Sequence, residues 1–304
     1  MVTFFSLKAP IFFSNAVFAN ILSDWIPVVL IAIGETYVII TGGIDLSVGS
    51  TIGFSGVIAA FAMRTLTERD MSDGAAIAIG TAVAVLVGLG IGLINALLIT
   101  RARIVPFVAT LATLGAFRGL CIVTTGGGPI GDGPSSAIGL SVSKFGPLNY
   151  PGLIVIVIVL ILGAYLHQTR FGRYTYAIGS NSFAARSAGI NVKTHLTKVY
   201  MLSGALAGLA GMYLYIRLGV GSPSSGQSGE LDAIAAVVIG GASLAGGSGR
   251  MTGTVLGAFI LTTVTSGLII IGVAPNWKQV VVAILIAGAV FSQGLRNWSK
   301  GGEL

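Results

Sequence analysis

Two acidic side chains in strongly apolar stretches are the first residues of this sequence that point to chemistry. Asp45 lies in "VIITGGIDLSVGS", residues 38–50, directly after the pair Gly42 and Gly43. Glu35 lies in the apolar run that precedes this stretch. Acids within apolar segments are costly, and they tend to face the interior of a helix bundle or a polar path. Both acids are therefore candidates for a translocation path or gate.

The same stretch has a second interpretation that depends on helix ends alone. The glycine pair releases a helix, and Asp45 or Ser47 then accepts hydrogen bonds from the first N–H groups of the next helix. The positive end of that helix dipole also favours an acid there. A capped helix break and a polar gate thus both remain open. Glu35 is expected either to pair, with Arg118 as a candidate, or to be protonated.

A serine in a short glycine-rich pattern raises the question of hydrolysis. "GFSG", residues 53–56, matches the pattern of rhomboid-type serine proteases and contains Ser55. A serine nucleophile needs an imidazole within hydrogen-bond reach, but His167 is expected at a membrane edge and His195 in a basic loop. Small residues are common where membrane helices pack, which explains the pattern. We therefore predict no catalytic residue, no metal site and no cofactor.

Composition indicates which elements must position these residues. The chain has 304 residues, is 54% hydrophobic and only 9% charged, and has a mean hydropathy of +0.93. Several apolar runs approach the roughly 20 residues that a membrane-spanning helix needs, and they lack the alternation of barrel strands. The predicted fold is an all-α polytopic membrane protein. Its nine predicted spans are 24–40, 47–63, 75–99, 105–124, 151–167, 199–217, 230–245, 252–273 and 278–296.

The charges fit a membrane protein better than a nucleic-acid binder. The formal net charge of +7 is explained by Lys and Arg in cytoplasmic loops, and no basic patch is interleaved with aromatic residues. Five positive charges within 170–198 make that loop cytoplasmic and leave the N terminus outside. The first 25 residues do not resemble a cleaved signal peptide. Cys121, the single cysteine, is expected to be a core residue.

An internal repeat accompanies the glycine-rich stretch. A shift of 198 positions aligns "GGIDLSVGS" (42–50) with "GGASLAGGS" (240–248), and both copies follow a span that runs inward. The repeat is therefore predicted to be parallel. Such repeats with glycine-interrupted segments are typical of transporters, where they border the substrate path. Gly240, Gly241 and Ser243 join Gly42, Gly43, Asp45, Ser47 and Glu35 as path candidates.

The longest polar inward segment reads "QTRFGRYTYAIGSNSFAARSAGINVKTHLTK", residues 168–198. Ser180 or Asn181 is suited to cap a short helix that continues to Arg186, and Gly189 is suited to end it. A compact helix of this kind fits a groove on a partner. The alternative is a solvated connector held near anionic lipid by its positive charges.

Four stretches together resemble one family over nearly the whole chain. They are the stretch at 38–50, "NALLITRARIVPFVATLATLGAFRGL" (95–120), "YAIGSNSFAARSAGI" (176–190) and "ELDAIAAVVIGGASLAGGSGRMTGTVLGAFI" (230–260). In these the sequence resembles the permease subunits of bacterial ABC importers of ribose and related monosaccharides. The resemblance is specific for the family and does not identify the substrate.

The resemblance implies one transmembrane permease domain, 1–304, in a bacterial inner membrane, without a cofactor and without nucleic-acid binding. Its implied partners are cytoplasmic ATP-binding subunits, a second permease copy or sister permease, a periplasmic sugar-binding protein and the lipid bilayer. The implied substrate path follows the dimer axis and is lined by small, weakly polar residues. The implied coupling helix, which docks on the ATPase, comprises Gly179, Ser180, Asn181, Ala184, Ala185, Arg186, Gly189 and Ile190.

Two features depart from this family. Relatives usually have ten spans and a further N-terminal helix, so a truncated start is expected here. Glu35 stands where relatives commonly carry an uncharged residue, so no family role transfers to it.

An ATP-independent secondary transporter or channel is the alternative function. The chain has no Gly-x4-Gly-Lys-Ser/Thr loop, and the nearest stretch, "GINVKT" (189–194), lacks the second glycine. This absence fits an ABC permease and an independent carrier equally. The loop at 179–190 favours the permease, because an independent carrier has no reason to keep it.

Overall fold

The computed structural model describes residues 2–274 and 276–299, and this part of the chain is almost entirely helical. A 3-10 helix at Pro10–Phe13 and a two-residue hairpin, β1 (Lys144–Phe145) with β2 (Leu148–Asn149), interrupt the helices. The helices are α1 (Val2–Lys8), α2 (Asn15–Ile40), α3 (Val48–Thr67), α4 (Asp73–Thr100), α5 (Pro106–Thr125), α6 (Ser136–Val142), α7 (Tyr150–Gln168), α8 (Arg170–Ser180), α9 (Ser182–Ser187), α10 (Val192–Leu218), α11 (Gly229–Ile239), α12 (Met251–Ile270) and α13 (Trp277–Ser299).

Eight of the nine predicted spans fall largely within one helix each, the last of them, 278–296, within α13, and the all-α membrane fold is confirmed. Within the described ranges, seven helices are long and apolar enough to cross a membrane: α2, α3, α4, α5, α7, α10 and α12. The prediction of a full span at 230–245 is wrong, because α11 has 11 residues and rises about 16 Å. Ser228 with a φ of 60° precedes it and Gly241 with a φ of 89° follows it, so the backbone turns at both ends.

The centre of the bundle is formed by α10 and the second half of α2, whose residues from Val29 to Ile40 are all buried. Close approach of backbones holds α4 against α10. A Cβ atom added to Gly88 or Gly204 would collide with the backbone of the opposite helix, which is the small-residue contact typical of membrane helices. In contrast, α5 and α7 leave most of their length exposed, so they face lipid or a partner.

The two ends of the bundle differ in charge and composition. One end, here called the basic end, contains α8, α9 and both glycine-rich breaks, and it is the end that the positive charges predict to be cytoplasmic. The other end contains two ion pairs between helices. The first joins α2 to α10 at this end, where Arg217 Nη1 lies 2.6 Å from Asp24 Oδ1. The second lies deeper and joins α13 to the first turn of α11, where Lys278 Nζ lies 2.7 Å from Asp232 Oδ2.

The two breaks of the repeat lie side by side at the basic end, as a parallel repeat requires. Gly42 (φ 81°) and Gly241 (φ 89°) both take the left-handed conformation that ends a helix. Their N–H groups donate equivalent bonds, to Ile39 O and Val238 O, each at 2.9 Å. Gly42 therefore corresponds to Gly241, one residue away from the predicted shift of 198. The reason is that the second break is longer, so a gapless alignment cannot match both helix ends.

Candidate functional site

The break after α2 turns back into the membrane and buries its acid. Asp45 N donates to Glu35 Oε1 at 3.1 Å, so the chain has returned to the level of Glu35, more than one helical turn before the end of α2. Glu35 has 0% of its surface exposed, and Asp45 and Ser47 have 1% each. The two acids thus meet inside the packed bundle.

Asp45 is surrounded by hydrogen-bond donors. Its Oδ1 accepts from Ser47 Oγ at 2.6 Å and from Ser47 N at 3.0 Å, and its Oδ2 accepts from Ser203 Oγ at 2.9 Å. Asn95 Nδ2 donates to Ser47 Oγ at 2.7 Å, and Thr113 Oγ1 donates to Asn95 Oδ1 at 2.6 Å. Residues from α4, α5 and α10 are therefore joined at the start of α3. We call this set the polar junction.

The hydrogen bonds of the polar junction show how α3 begins. Ser47 is the N-cap residue of α3, but its side chain makes no capping bond. Asp45 instead accepts the Ser47 N–H group just before the helix, and the positive end of the α3 dipole lies beside it. Asp45 therefore has a structural role at the start of α3. The role of Asp45 in a path or gate stays a prediction.

Glu35 does not pair with Arg118, and that prediction is wrong. The Arg118 guanidinium donates to the carbonyl groups of Pro223 at 2.7 Å, Ser225 at 3.0 Å and Gly226 at 3.2 Å. These carbonyl groups belong to a stretch without helical hydrogen bonds. Since their bonding capacity must be met at membrane depth, the arginine is occupied there.

Residues 219–228 form a re-entrant segment that sequence reasoning missed. The segment descends antiparallel to α3: Gly221 lies against Gly56, Pro223 and Ser225 lie against Gly53, and Gly226 lies against Gly49. It has no regular secondary structure apart from a bridge between Gly221 and Ile130.

Close contacts at its lower end show that α11 begins deep inside the membrane. A Cβ atom on Gly229 would lie 3.6 Å from Gly49 Cα and 3.6 Å from Ile31 Cδ1. Ile31 precedes the end of α2 by nine residues, a rise of about 14 Å. The N termini of α3 and α11 therefore meet inside the membrane. Helices that begin at this depth are typical of transporter binding sites.

Several side chains of the re-entrant segment are polar and accessible. Ser224 and Gln227 are exposed, and Ser222 is partly exposed. Ser222 Oγ and Ser224 Oγ lie 2.8 Å apart. The signal was visible as "GVGSPSSGQSG", a Gly, Pro and Ser cluster in an otherwise apolar chain. Between the predicted spans 199–217 and 230–245 this stretch is expected to be an external loop, because periodicity does not reveal that a loop folds back into the bundle.

A cavity of about 290 Å³ with both polar and apolar lining opens beside the re-entrant segment at the non-basic end. It extends from the Asp24–Arg217 ion pair to Ile31 and Ile52, and Gln227 lines its wall. Ser266 Oγ donates to Asp24 Oδ2 at 3.2 Å. The cavity therefore connects the outer charges with the buried ends of α3 and α11.

At the basic end, the predicted short helix is present as α9. Asn181 Oδ1 accepts from Ala184 N at 2.9 Å, so Asn181 rather than Ser180 caps it. Gly189 follows with a φ of 84°. Ala185 is 5% exposed and packs against Ile178 and Val192, so its side chain faces inward. Replacing Ala185 would test the packing of this segment rather than a surface contact.

The exposed face of α9 contains a residue that sequence reasoning missed. Phe183 is 77% exposed, and Ala184 and Arg186 are also exposed. A large aromatic side chain directed into solvent beside a positive charge is typical of a docking surface. Its sequence signal was a phenylalanine in a polar, basic loop.

The segment α8–α9 touches both breaks of the repeat. A Cβ atom on Gly179 would meet the Ile40 carbonyl group and the Gly247 nitrogen, and Gly247 N itself donates to Ile40 O at 2.9 Å. Tyr176 OH donates to Gly249 O at 2.7 Å. Burial raises the pKa of Tyr176 above its usual value, although the nearby Arg250 acts in the opposite direction. Tyr176 therefore remains a hydrogen-bond donor to the second break.

The remaining path candidates shape the second break. Gly240 packs against Gly253 at the start of α12, and Gly241 supplies the left-handed turn. Ser243 N donates to Ser248 O at 3.1 Å, and Ser243 Oγ accepts from Ala245 N at 3.2 Å. Their part in substrate passage stays a prediction.

The protease alternative has no geometric support in the described ranges. Ser55 Oγ donates to Thr51 O at 2.6 Å. His167 Nε2 accepts from Met251 N at 3.4 Å, and His195 Nε2 lies 3.0 Å from Thr175 Oγ1. Across 2–274 and 276–299, no group of three His, Cys, Asp or Glu side chains is arranged to hold a metal ion.

The fold combines membrane helices, two broken helices side by side, a buried re-entrant segment and a short exposed helix. Together these features define a permease. Comparison with known proteins gives the family. Residues 17–290 match the family described as "Branched-chain amino acid transport system / permease component". The chain belongs to this family and is a multi-pass protein of the bacterial inner membrane.

Its relatives include three import permeases. The chain is 39% identical to "Ribose import permease protein RbsC" of Escherichia coli (strain K12), over 95% of this chain and 89% of the relative. Identity is 42% with the protein of that name from Bacillus subtilis (strain 168), over 86% and 79%. It is 34% with "Autoinducer 2 import system permease protein LsrC" of Yersinia enterocolitica, over 93% and 76%. No solved structure matches the chain.

Proposed function

We propose that this chain is the membrane-spanning subunit of an ATP-driven importer for a monosaccharide or similar small polyol. The observation that carries the proposal is the contact of α8–α9 with both helix breaks, through Gly179 and Tyr176. A force applied to α9 is thereby passed to the ends of α2 and α11. The likeness to ribose import permeases supports the substrate class.

The ATPase in this proposal is a separate cytoplasmic subunit that docks on α9. Phe183 enters a groove on the ATPase, and Arg186 faces acidic groups beside it. ATP hydrolysis belongs to that subunit, because this sequence lacks a phosphate-binding loop. A periplasmic binding protein delivers the sugar at the opposite end.

The substrate path in this proposal follows the re-entrant segment. Irregular backbone at membrane depth is tolerated where it is buried in protein or lines a water-filled cavity. Ser222, Ser224 and Gln227 offer hydroxyl and amide groups that suit a polyol, and they carry no charge that would trap it. These residues fit the predicted lining of small, weakly polar side chains better than the buried Asp45 does.

A second copy of the chain packs on α5 in this proposal. Gly115 and Gly119 are exposed and have open space where a Cβ atom would lie, and they form the Gly-x3-Gly spacing of close helix pairs. The same helix holds Arg118, which binds the re-entrant segment. Pairing through α5 would therefore place the two re-entrant segments beside the dimer axis.

The experiment replaces the two exposed docking side chains together, Phe183→Asp and Arg186→Glu. We expect ATP-dependent uptake of labelled pentose to fall at least about tenfold, since hot-spot side chains commonly contribute 2 kcal/mol or more to an interface. The ATPase should no longer copurify. Both side chains are exposed, so the melting temperature of the permease should not change.

Arg69→Glu, an exposed charge reversal at the other end of the molecule, is the matched control and should leave copurification of the ATPase intact. Uptake that continues without ATP in the double variant would contradict the proposal and would favour an ATP-independent carrier.

A further inference from the structure

Two buried carboxyl groups meet here, Asp45 within the polar junction and Glu35 beside it, and they differ sharply in their partners. Asp45 accepts three hydrogen bonds of 3.0 Å or shorter, from Ser47 N, Ser47 Oγ and Ser203 Oγ. Glu35 accepts one, from Asp45 N at 3.1 Å. Its second oxygen, Oε2, is buried and has no hydrogen-bond partner in the described part of the chain.

A second unpartnered group faces the same place. Tyr200 is 1% exposed, and its hydroxyl group has no hydrogen-bond partner among the residues described. It lies against Gly43 and within electrostatic range of both Asp45 and Glu35. Glu35 is thus held by the backbone of the break through Asp45 N, and the Tyr200 phenol of α10 is close enough to interact electrostatically with both acids.

No positive side chain balances these acids in the described ranges. The ion pairs there are Arg64–Glu68, Arg217–Asp24 and Lys278–Asp232, and Arg118 is bound to carbonyl groups of the re-entrant segment. Two adjacent buried carboxylates without a cation would repel each other. One negative charge must therefore be removed.

The hydrogen bonds decide which acid is neutral. Short bonds from hydroxyl groups stabilise an ionised carboxylate, and the start of α3 adds a favourable dipole, so Asp45 holds the charge. An ionised Glu35 would leave a bare, desolvated oxygen, whereas a neutral Glu35 leaves only one hydroxyl group unpaired, which costs much less.

We infer that Glu35 is a buried proton-binding site, with the proton on Oε2 and Oε1 accepting from the Asp45 backbone. A proton is favoured over a monovalent metal ion because Glu35 and Asp45 are 0% and 1% exposed and, of their carboxylate oxygens, Glu35 Oε2 is the one without a hydrogen-bond partner among the residues described, whereas a metal ion needs several oxygen ligands. The protonated Glu35 side chain adds no second negative charge beside Asp45. Its Oε1 still accepts the Asp45 N–H group and so holds the backbone of the break in place.

Infrared spectroscopy of the purified full-length permease in lipid nanodiscs tests the inference. A neutral carboxyl group gives a carbonyl stretch above the amide I band, and this band shifts in D2O. We expect the band in the wild type and its loss in Glu35→Gln. Glu230→Gln removes another buried carboxyl group with an unpaired oxygen, and Glu68→Gln removes an exposed one; both should keep the band of Glu35.

Thermal stability gives an independent readout. Glu35→Gln preserves an acceptor for Asp45 N, so its melting temperature should stay near that of the wild type in sodium, potassium and choline buffers. Asp45→Asn replaces the charged acceptor and should melt clearly lower. A band that persists in Glu35→Gln would overturn the inference, and so would a wild-type melting temperature that depends on sodium or potassium through Glu35. Neither readout involves transport.

Discussion

At the scale of single residues, Gly43 and Tyr200 form a contact that can be tested by substitution. A Cβ atom on Gly43 would collide with the Tyr200 hydroxyl group, whereas the ring carbon behind it lies 3.5 Å away. We expect Gly43→Ala to destabilise the protein by about 1–3 kcal/mol through overpacking. Tyr200→Phe removes a buried hydroxyl group without a described partner and should have little effect alone.

The double variant Gly43→Ala with Tyr200→Phe should recover most of the lost stability, because the colliding atom is gone. Thermal melting of the purified variants measures this coupling. Additive losses in the double variant would show that another contact, such as Val38 Cγ1 at 3.3 Å from the added Cβ atom, opposes a side chain at Gly43.

Sequence reasoning identified Asp45, Ser47 and Glu35 but not their partners Asn95, Thr113 and Ser203. Asp45 and Glu35 stood out because acids are rare in apolar runs, and both proved to be buried. The partner proposed for Glu35 was wrong, since Arg118 binds carbonyl groups whose exposure depends on a tertiary fold. Phe183 was missed because an aromatic residue in a loop has no periodicity to show that it faces solvent.

At the scale of elements, the re-entrant segment depends on Arg118. Three carbonyl groups of residues 223–226 receive hydrogen bonds from one guanidinium group. Arg118→Met should deprive the carbonyl groups of Pro223 and Ser225 of this donor at membrane depth, whereas Gly226 O keeps its bond from Gly229 N at 3.1 Å. We expect uptake to fall roughly tenfold or more, because hydrogen bonds from charged groups commonly contribute about 1.5–3 kcal/mol each.

Arg118→Lys is the informative comparison, since a lysine supplies the charge without the planar fork that reaches several carbonyl groups. It should show an intermediate loss. Hydrogen exchange of residues 219–228 should rise in the same order, from wild type to lysine to methionine. Unchanged exchange in Arg118→Met would mean that packing against α3 suffices to hold the segment.

Element boundaries show where hydropathy alone stops being informative. Long apolar runs predicted the seven full spans well, because length and composition determine whether a helix crosses a membrane. The span at 230–245 failed because α11 is apolar like a full span but begins inside the bundle. The repeat was recognised from its glycines, and its register was one residue off because the two breaks differ in length.

At the scale of the whole molecule, the distribution of exposed small residues indicates how two permeases would pair. Most exposed helix surface is suited to lipid: α7, for example, carries Leu160, 67% exposed. The exposed surface of α5 also carries large apolar side chains, but one stripe of it consists of the small residues Ala112, Gly115, Ala116 and Gly119. Lipid needs no such face, whereas the close approach of a second helix does.

Disulfide cross-linking tests this pairing in a Cys121→Ala background, which removes the single native cysteine. A disulfide forms only when two Cα atoms come within about 7 Å. Residues near a two-fold axis meet their own copies, so we expect Ala116→Cys to give a covalent dimer in membranes under mild oxidation. Leu160→Cys, on the lipid-facing side of α7, is the matched control and should remain monomeric.

A dimer through Leu160→Cys but not Ala116→Cys would move the interface to α7. It would also separate the re-entrant segments from the dimer axis. The proposed substrate path would then have to lie within one subunit. The cavity beside Gln227 is the available route there.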